Sequence, residues 1–180
     1  ENTRLLMSLG ESLGFTPLLY DEVDVRSIRH DAGTERYARI VGGMPSVLAA
    51  EELASVRAHK VVWVGDESAI AKLPGHPELR ELPLYQVQSL PGMYEFLPPA
   101  VTKGSGVAAL ARRLGVAAEE VVAFGDADND IPMFEWVGTS FAMSHGTPGA
   151  RDAAGTIASE GPPETAFARA VETLDLSVIE

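Results

Sequence analysis

Apolar and polar positions alternate along the chain in short blocks that predict helices and strands in turn. The segment TRLLMSLGESLG has Leu5, Leu6, Leu9 and Leu13 at helical spacing, and Gly14 is placed to end the helix. After it, the apolar runs LLY, VDVRSI and RYARIV predict short strands separated by polar turns. The start of the chain therefore predicts a mixture of helices and strands.

The middle of the chain continues this alternation. SVLAAEELASV predicts a helix, KVVWVG predicts a strand, and ESAIAKL and HPELREL predict short helices. YQVQSLPGMYEFLP predicts a β-hairpin, because two β-prone runs flank the turn-forming pair Pro91-Gly92. The Pro98-Pro99 step that follows predicts a domain boundary.

Beyond this boundary the pattern is typical of a parallel α/β sheet. GVAALARRLG places Val107, Leu110, Ala111 and Leu114 on one helical face, and Gly115 ends the helix. EVVAFG, TSFAM and the short TIAS then alternate with helices in IPMFEWVG, TPGARDAAG and PETAFARAVETL. We therefore predict two domains, residues 1–97 and residues 98–180.

Composition limits the functions that are open to the chain. Its 180 residues are 46% hydrophobic, enough to bury a core in one large domain or two small ones. The formal net charge of −12 argues against a nucleic-acid partner. The absence of cysteine excludes disulfides and thiolate metal sites, and no apolar run is long enough to span a membrane. We expect a cytoplasmic protein with no membrane partner, and the oligomeric state is left open.

The run VVAFGDADND, residues 121–130, places acidic and amide side chains directly behind a predicted buried strand. Clustered carboxylates repel one another unless a cation or solvent screens them. Open α/β sheets bind ligands at the carboxyl ends of their strands, so a divalent cation is the natural counter-charge. The related run VVWVGD, residues 61–66, has Ile70 where this run has Asp130, and it predicts only a strand and a turn.

Calcium and magnesium are the alternatives for this cluster. Asp126, Asp128 and Asp130 fall at the first, third and fifth positions of a calcium-binding loop. Ile131 and Val137, however, replace the glycine and the glutamate that make such a loop specific. Mg²⁺ takes one or two carboxylates, keeps waters and leaves room for a substrate phosphate. The sequence therefore favours Mg²⁺.

An anion site is predicted at TKGSG, residues 102–106. Lys103 stands just ahead of a helix start, where exposed N–H groups and the helix dipole attract an anion. Taken alone, Lys103 is better interpreted as a solvated surface lysine. The functional interpretation gains weight because one helix and one strand lead from Lys103 into the acidic cluster.

TKGSGVAALARRLGV followed by EEVVAFGDADNDIPMFEWVGTSFAM resembles the C-terminal half of haloacid dehalogenase (HAD) superfamily phosphatases of the Cof type, which are similar to sucrose phosphatases. The shared pattern is Lys-Gly before a helix, a strand closing in Gly-Asp-x-x-Asn-Asp, and a short helix with Met133 near its start. The resemblance implies the C-terminal half of a Rossmann-like parallel-sheet core in residues 98–180. It also implies an α/β cap domain in residues 1–97.

The resemblance further implies a Mg²⁺-dependent phosphatase that acts on a small phosphorylated metabolite, such as a sugar phosphate, through an aspartyl-phosphate. Lys103 would neutralise the phosphoryl group, and Asp126 would ligate Mg²⁺ directly, so both are expected to be catalytic. Asp130 would hold the metal or its water, and Asn129 would contact the phosphate or orient that shell. Asp128 falls at a variable position and is interpreted as a solvated turn carboxylate.

The sequence also departs from the family pattern. Neither the N-terminal Asp-x-Asp, which carries the nucleophile, nor the later phosphate-binding Ser or Thr is found, so we expect the first half of the core to lie outside this chain. The alternative is a non-catalytic remnant that binds metal or phosphate, or that regulates. Ser144, His145 and Gly146 stand in place of the Gly-Asn-Ala of the family, and we interpret His145 as a solvated loop residue, with a substrate contact as the alternative.

Overall fold

A computed structural model describes residues 2–49, 51–52 and 55–174. The chain divides into two compact units, Glu1–Pro99 and Ala100–Glu180. The first unit contains a six-stranded sheet and the second a three-stranded sheet. The predicted fold class, α/β with a parallel sheet in the C-terminal part, is confirmed. None of the described helices is long and apolar enough to cross a membrane.

The first unit is a largely antiparallel sheet whose strands run in the order β3-β2-β1-β4-β6-β5, with only β2 and β3 parallel. The predicted first helix, the strands at LLY, VDVRSI and KVVWVG, the two short helices and the hairpin are confirmed. The elements are α1 (Asn2–Ser12), β1 (Thr16–Tyr20), β2 (Val25–Ser27), α2 (Ala32–Val41), β3 (Ser46–Val47), β4 (Lys60–Val64), α3 (Glu67–Ile70), α4 (Pro77–Arg80), β5 (Tyr85–Leu90) and β6 (Met93–Leu97).

Two predictions in this unit were wrong. RYARIV, predicted as a strand, belongs to α2, because the Asp31 carboxylate accepts hydrogen bonds from the N–H groups of Gly33 and Thr34 at 3.0 Å each and caps the helix. SVLAAEELASV, predicted as a helix, begins as β3, which pairs with β2. Residues 50, 53 and 54 of that segment lie outside the described part. A cap and a strand partner therefore outweighed the local apolar pattern.

The core of the first unit is organised around Trp63 of β4, which is fully buried. Its ring lies 5.5 Å from that of Phe15 in a stacked arrangement and 4.6 Å from that of Phe96. Its indole N–H donates a 3.0 Å hydrogen bond to the backbone oxygen of Leu6 in α1. On the opposite face, α2 packs through Tyr37 against the same sheet.

The second unit is a parallel sheet in the order β7-β8-β9, and a helix lies between each strand and the next. The helix and strand alternation predicted for this part is confirmed. Its elements are α5 (Lys103–Leu114), β7 (Val122–Gly125), α6 (Ile131–Phe134), β8 (Thr139–Ala142), α7 (Pro148–Ala153), β9 (Thr156–Ile157) and α8 (Ala166–Glu172). Within the described residues, β7 pairs with β8 on one side only.

Apolar side chains border this open side of β7. Val122 of β7 is 39% exposed, Leu110 and Leu114 of α5 are 58% and 67% exposed, and Phe167 of α8 is 58% exposed. A cavity of about 550 Å³ lies among these elements. Of the apolar face predicted for α5, Ala111 is buried, whereas Leu110 and Leu114 are exposed.

Candidate active site

Asp130 is the most firmly held side chain of the acidic cluster and is only 2% exposed. Its Oδ2 accepts hydrogen bonds from the backbone N–H groups of Asp126, at 2.8 Å, and Ala127, at 3.0 Å. Its Oδ1 forms an ion pair with the Nζ of Lys103. Gly125 makes room for this fold-back, because a Cβ there would lie 2.4 Å from the Asp130 carboxyl group. The Gly-Asp-x-x-Asn-Asp motif is thus a closed loop with the last carboxylate at its centre.

Lys103 is the first residue of α5, and the start of this helix lies beside the acidic loop. The side chain of Thr102 accepts from the Ser105 N–H at 3.1 Å, and the Ser105 hydroxyl accepts from the Thr102 N–H at 2.9 Å, so the helix start is capped in both directions. Gly104 follows Lys103 because a Cβ there would lie 2.1 Å from the backbone oxygen of Pro132. The Lys-Gly pair therefore sets α5 directly against α6, with the lysine side chain 49% exposed beside the acidic loop.

Asp126 carries the open carboxylate of the cluster. Its side chain is 58% exposed, and within the described part of the chain no group donates a hydrogen bond to it. The Nε2 of His145 lies 3.8 Å from its Oδ2. A carboxylate whose backbone is fixed but whose oxygens accept no hydrogen bond is suited to bind a cation.

Asn129 and Asp128 differ in what their side chains contact. The Oδ1 of Asn129 is buried and has no hydrogen-bond donor among the described residues. A buried acceptor without a partner is costly, so this oxygen is available for a ligand or a water. Asp128 is exposed and accepts a hydrogen bond from the hydroxyl of Thr147, the residue that caps α7. Asp128 therefore joins the acidic loop to α7.

The donor set suits Mg²⁺, which prefers carboxylate oxygens and retains several waters. Asp126 supplies a free carboxylate, and Asn129 supplies an unpaired oxygen three residues away. Both oxygens of Asp130 already have partners, so a water-mediated contact fits Asp130 better than direct ligation. Among the described residues, no group of three or more His, Cys, Asp or Glu side chains is placed to hold a metal. Further ligands would therefore be waters, the substrate or groups from outside this part of the chain.

The loop of residues 143–147 is fastened to the acidic loop. The Met143 N–H donates to the Gly125 oxygen at 2.9 Å, and the Thr147 N–H donates to the Asp126 oxygen at 2.8 Å. Gly146 lies so close that a Cβ there would be 2.9 Å from the Asp126 oxygen. The side chain of His145 is 39% exposed, so it is partly solvated, and it lies beside Asp126. This proximity follows from the register of the parallel strands β7 and β8, in which Gly125 pairs with Ala142.

Comparison with known proteins gives consistent matches. The model of the haloacid dehalogenase-like hydrolase family matches residues 14–161. A phosphoglycolate phosphatase of Halobacterium salinarum is 43% identical over 67 residues, which are 37% of this chain and 30% of that protein. A sugar phosphatase of HAD subclass IIB has a TM-score of 0.78 at 18% identity, covering 96% of this chain and 65% of that one.

A structure assigned as a HAD/COF-like hydrolase, from Plasmodium vivax, has a TM-score of 0.79 at 18% identity, with 96% of this chain and 64% of that chain covered. At this level of identity, the two structural matches establish the fold. The chain spans less than two thirds of the length of each of these three proteins.

Proposed function

Since the chain belongs to the haloacid dehalogenase-like hydrolase family, we propose that it forms part of a Mg²⁺-dependent phosphatase of the Cof type that hydrolyses phosphoric monoesters of small metabolites. The observation that carries this proposal is the Lys103–Asp130 ion pair beside the open carboxylate of Asp126, at the carboxyl end of β7. A lysine and a free carboxylate in one loop can bind a phosphoryl group and the cation that accompanies it.

Phosphoryl transfer depends mainly on positioning and charge neutralisation. Lys103 would place its ammonium group against the phosphoryl oxygens. The ion pair with Asp130 would orient that ammonium group. The side-chain NH₂ of Asn129 would donate to a phosphoryl oxygen, and its unpaired Oδ1 would accept from a bound water. Mg²⁺ held by Asp126 would supply a further positive charge to the same group.

We place the attacking carboxylate in a segment outside these 180 residues. The open side of β7, with Val122 and Phe167 exposed beside it, supports this placement, because an unpaired strand with an apolar border is a template for a further strand. A parallel strand paired there would end next to Asp126. Its aspartate would take the phosphoryl group as the ester P–O bond breaks and the alcohol leaves, and water would then release phosphate from the aspartyl-phosphate.

We propose a sugar phosphate as the substrate class. The likeness in fold to the subclass IIB sugar phosphatase supports this class, and the phosphoglycolate named for the Halobacterium salinarum relative is the second candidate. Residues 1–97 would be the cap domain that selects the substrate, and residues 98–180 the C-terminal half of the core. The cytoplasmic location and the lack of a nucleic-acid partner stay predictions from the sequence.

The test is phosphate release from 4-nitrophenyl phosphate, 2-phosphoglycolate and a panel of sugar phosphates. Two proteins are compared, the 180-residue chain and the longest reading frame that contains it, each with Mg²⁺ and with EDTA. We expect Mg²⁺-dependent turnover by the longer protein alone. Asp126→Asn should lower kcat at least about 10²-fold, the scale of losing one electrostatic contributor to a transition state. Asp66→Asn, at the end of the similar VVWVGD strand, is the matched control and should leave kcat unchanged.

Three other outcomes would contradict parts of this proposal. Turnover by the 180-residue chain alone would show that the nucleophile lies within it. A longer protein that binds Mg²⁺ but turns over none of these esters would instead favour a non-catalytic module that binds metal or phosphate. Equal rates for wild type and Asp126→Asn would contradict the role assigned to the acidic loop.

A further inference from the structure

We propose that His145 is a positioning residue for the carboxylate of Asp126, an inference that rests on the proposed metal site. The Nε2 of His145 lies 3.8 Å from the Oδ2 of Asp126, and both side chains line the cavity beside β7. The imidazole would hold one carboxylate oxygen in place while the other oxygen ligates the cation.

The two end carboxylates of the acidic loop differ sharply in how they are held. Asp130 is fixed by two backbone N–H groups and by Lys103. Asp126 is fixed only through its backbone, and its side chain is 58% exposed and accepts no hydrogen bond from the described residues. A free carboxylate loses rotamer entropy when it binds a cation, and an outer partner reduces that loss. Only Asp126, therefore, still needs such a partner.

Backbone hydrogen bonds on both sides of His145, and not its own side chain, determine where this residue lies. Hydrogen bonds from Met143 to Gly125 and from Thr147 to Asp126 close the loop on both sides of it. The Gly146 N–H donates to the Met143 oxygen at 2.9 Å, which tightens the turn that carries His145. Because these contacts are made by the backbone, replacing the imidazole should leave the loop in place.

A ligating carboxylate is commonly hydrogen-bonded by an outer partner, and loss of that partner weakens metal binding about 10- to 100-fold. A separation of 3.8 Å is longer than a direct hydrogen bond. One rotation of the exposed Asp126 side chain, or one bridging water, would close it. In the first case a proton on Nε2 would be donated to Oδ2, and in the second it would be donated to the bridging water.

The test is binding of Mn²⁺, used as a paramagnetic substitute for Mg²⁺, to the longest reading frame that contains these 180 residues, measured by water-proton relaxation up to millimolar metal. His145→Ala should raise the dissociation constant about 10- to 100-fold. His145→Gln, which keeps an N–H donor, should recover part of the affinity. His59→Ala, which removes an exposed histidine of the first unit, is the matched control and should bind like wild type. Thermal melts of the variants should coincide, since a positioning role does not contribute to folding.

The variant Asp126→Asn separates failure of this inference from failure of the proposed function. If Asp126→Asn abolishes binding while His145→Ala binds within twofold of wild type, the role of His145 is overturned and the metal site stands. If the wild type does not bind, or Asp126→Asn binds equally well, the metal site is overturned and the role of His145 with it. A loss in His145→Ala that His145→Gln does not recover would also overturn the donor role.

Discussion

The ammonium group of Lys103 forms an ion pair with the buried carboxylate of Asp130 and so links the first turn of α5 to the loop that follows β7. The pair is asymmetric, because the Lys103 side chain is 49% exposed and that of Asp130 is 3% exposed. Asp130 also satisfies two backbone N–H groups, which no other described acceptor contacts. The carboxylate is therefore a structural centre, whereas the half-exposed lysine stays accessible to solvent.

Because of this asymmetry, removing the Asp130 carboxylate should lower the free energy of unfolding more than removing the Lys103 ammonium group. Asp130→Ala should lower the free energy of unfolding of the second unit by about 2–4 kcal/mol, because it leaves two backbone donors and one cation without an acceptor. Lys103→Met should cost less, about 1–2 kcal/mol, because the buried carboxylate loses its cation but keeps both backbone N–H donors. Urea denaturation of both variants measures the difference. Equal costs would contradict the central role of Asp130.

The Lys-Gly step predicts a second contrast between variants. Gly104→Ala should destabilise the unit by at least about 1–3 kcal/mol, because its Cβ would lie 2.1 Å from the backbone oxygen of Pro132 and would push α5 away from α6. Gly106→Ala, two residues later in the same helix, meets nothing within 4 Å and should stabilise the helix by about 0.5–1 kcal/mol. Thermal unfolding of the two variants should shift in opposite directions. A stable Gly104→Ala would show that the close approach is not required.

The sequence predicted those parts of the second unit that local rules control. Gly115 ends α5, the apolar runs become β7 and β8, and the parallel order brings Lys103 and the acidic loop to one edge of the sheet. The sequence did not predict how Asp130 would be used, since a carboxylate at that position suits a metal or a lysine equally well. Only the fold-back at Gly125 shows that its oxygens are taken.

The wrong predictions arose where a helix cap or a strand partner outweighed the local apolar pattern. RYARIV has a strand-like composition, but the Asp31 cap and the sheet contact of Tyr37 make it a helix. The proximity of His145 to Asp126 depends on the register between β7 and β8, which a single strand does not encode. Capping within a segment is thus readable from sequence, whereas pairing between segments requires the structure.

Alkaline pH should weaken the first unit through Tyr20. Burial, together with the hydrogen bond to Tyr37, raises the pKa of Tyr20 well above its usual value. The unfolded phenol ionises near pH 10 and the folded one does not, so the stability contribution is full below about pH 10 and is lost as the pH rises further. Tyr20→Phe should cost about 1 kcal/mol at neutral pH and lose less stability than wild type above about pH 10.

Tyr37→Phe is the control for this prediction. It removes the same 2.8 Å hydrogen bond but leaves Tyr20 partly buried, so most of the alkaline sensitivity should remain. Urea denaturation at about pH 8 and about pH 11 distinguishes the two variants. Parallel losses in wild type and Tyr20→Phe would show that another group causes the alkaline loss.

The open side of β7 predicts self-association of the 180-residue chain. Val122 is 39% exposed on a strand that pairs on one side only within the described residues, and an unpaired strand edge with an apolar border recruits other strands. Val122→Lys should therefore shift the chain toward the monomer in light scattering, because a lysine on an edge strand opposes pairing. Val23→Lys, at an apolar residue 84% exposed in the first unit, is the matched control and should leave association unchanged. A wild-type chain that stays monomeric at high concentration would show that this edge is protected by something other than a partner strand.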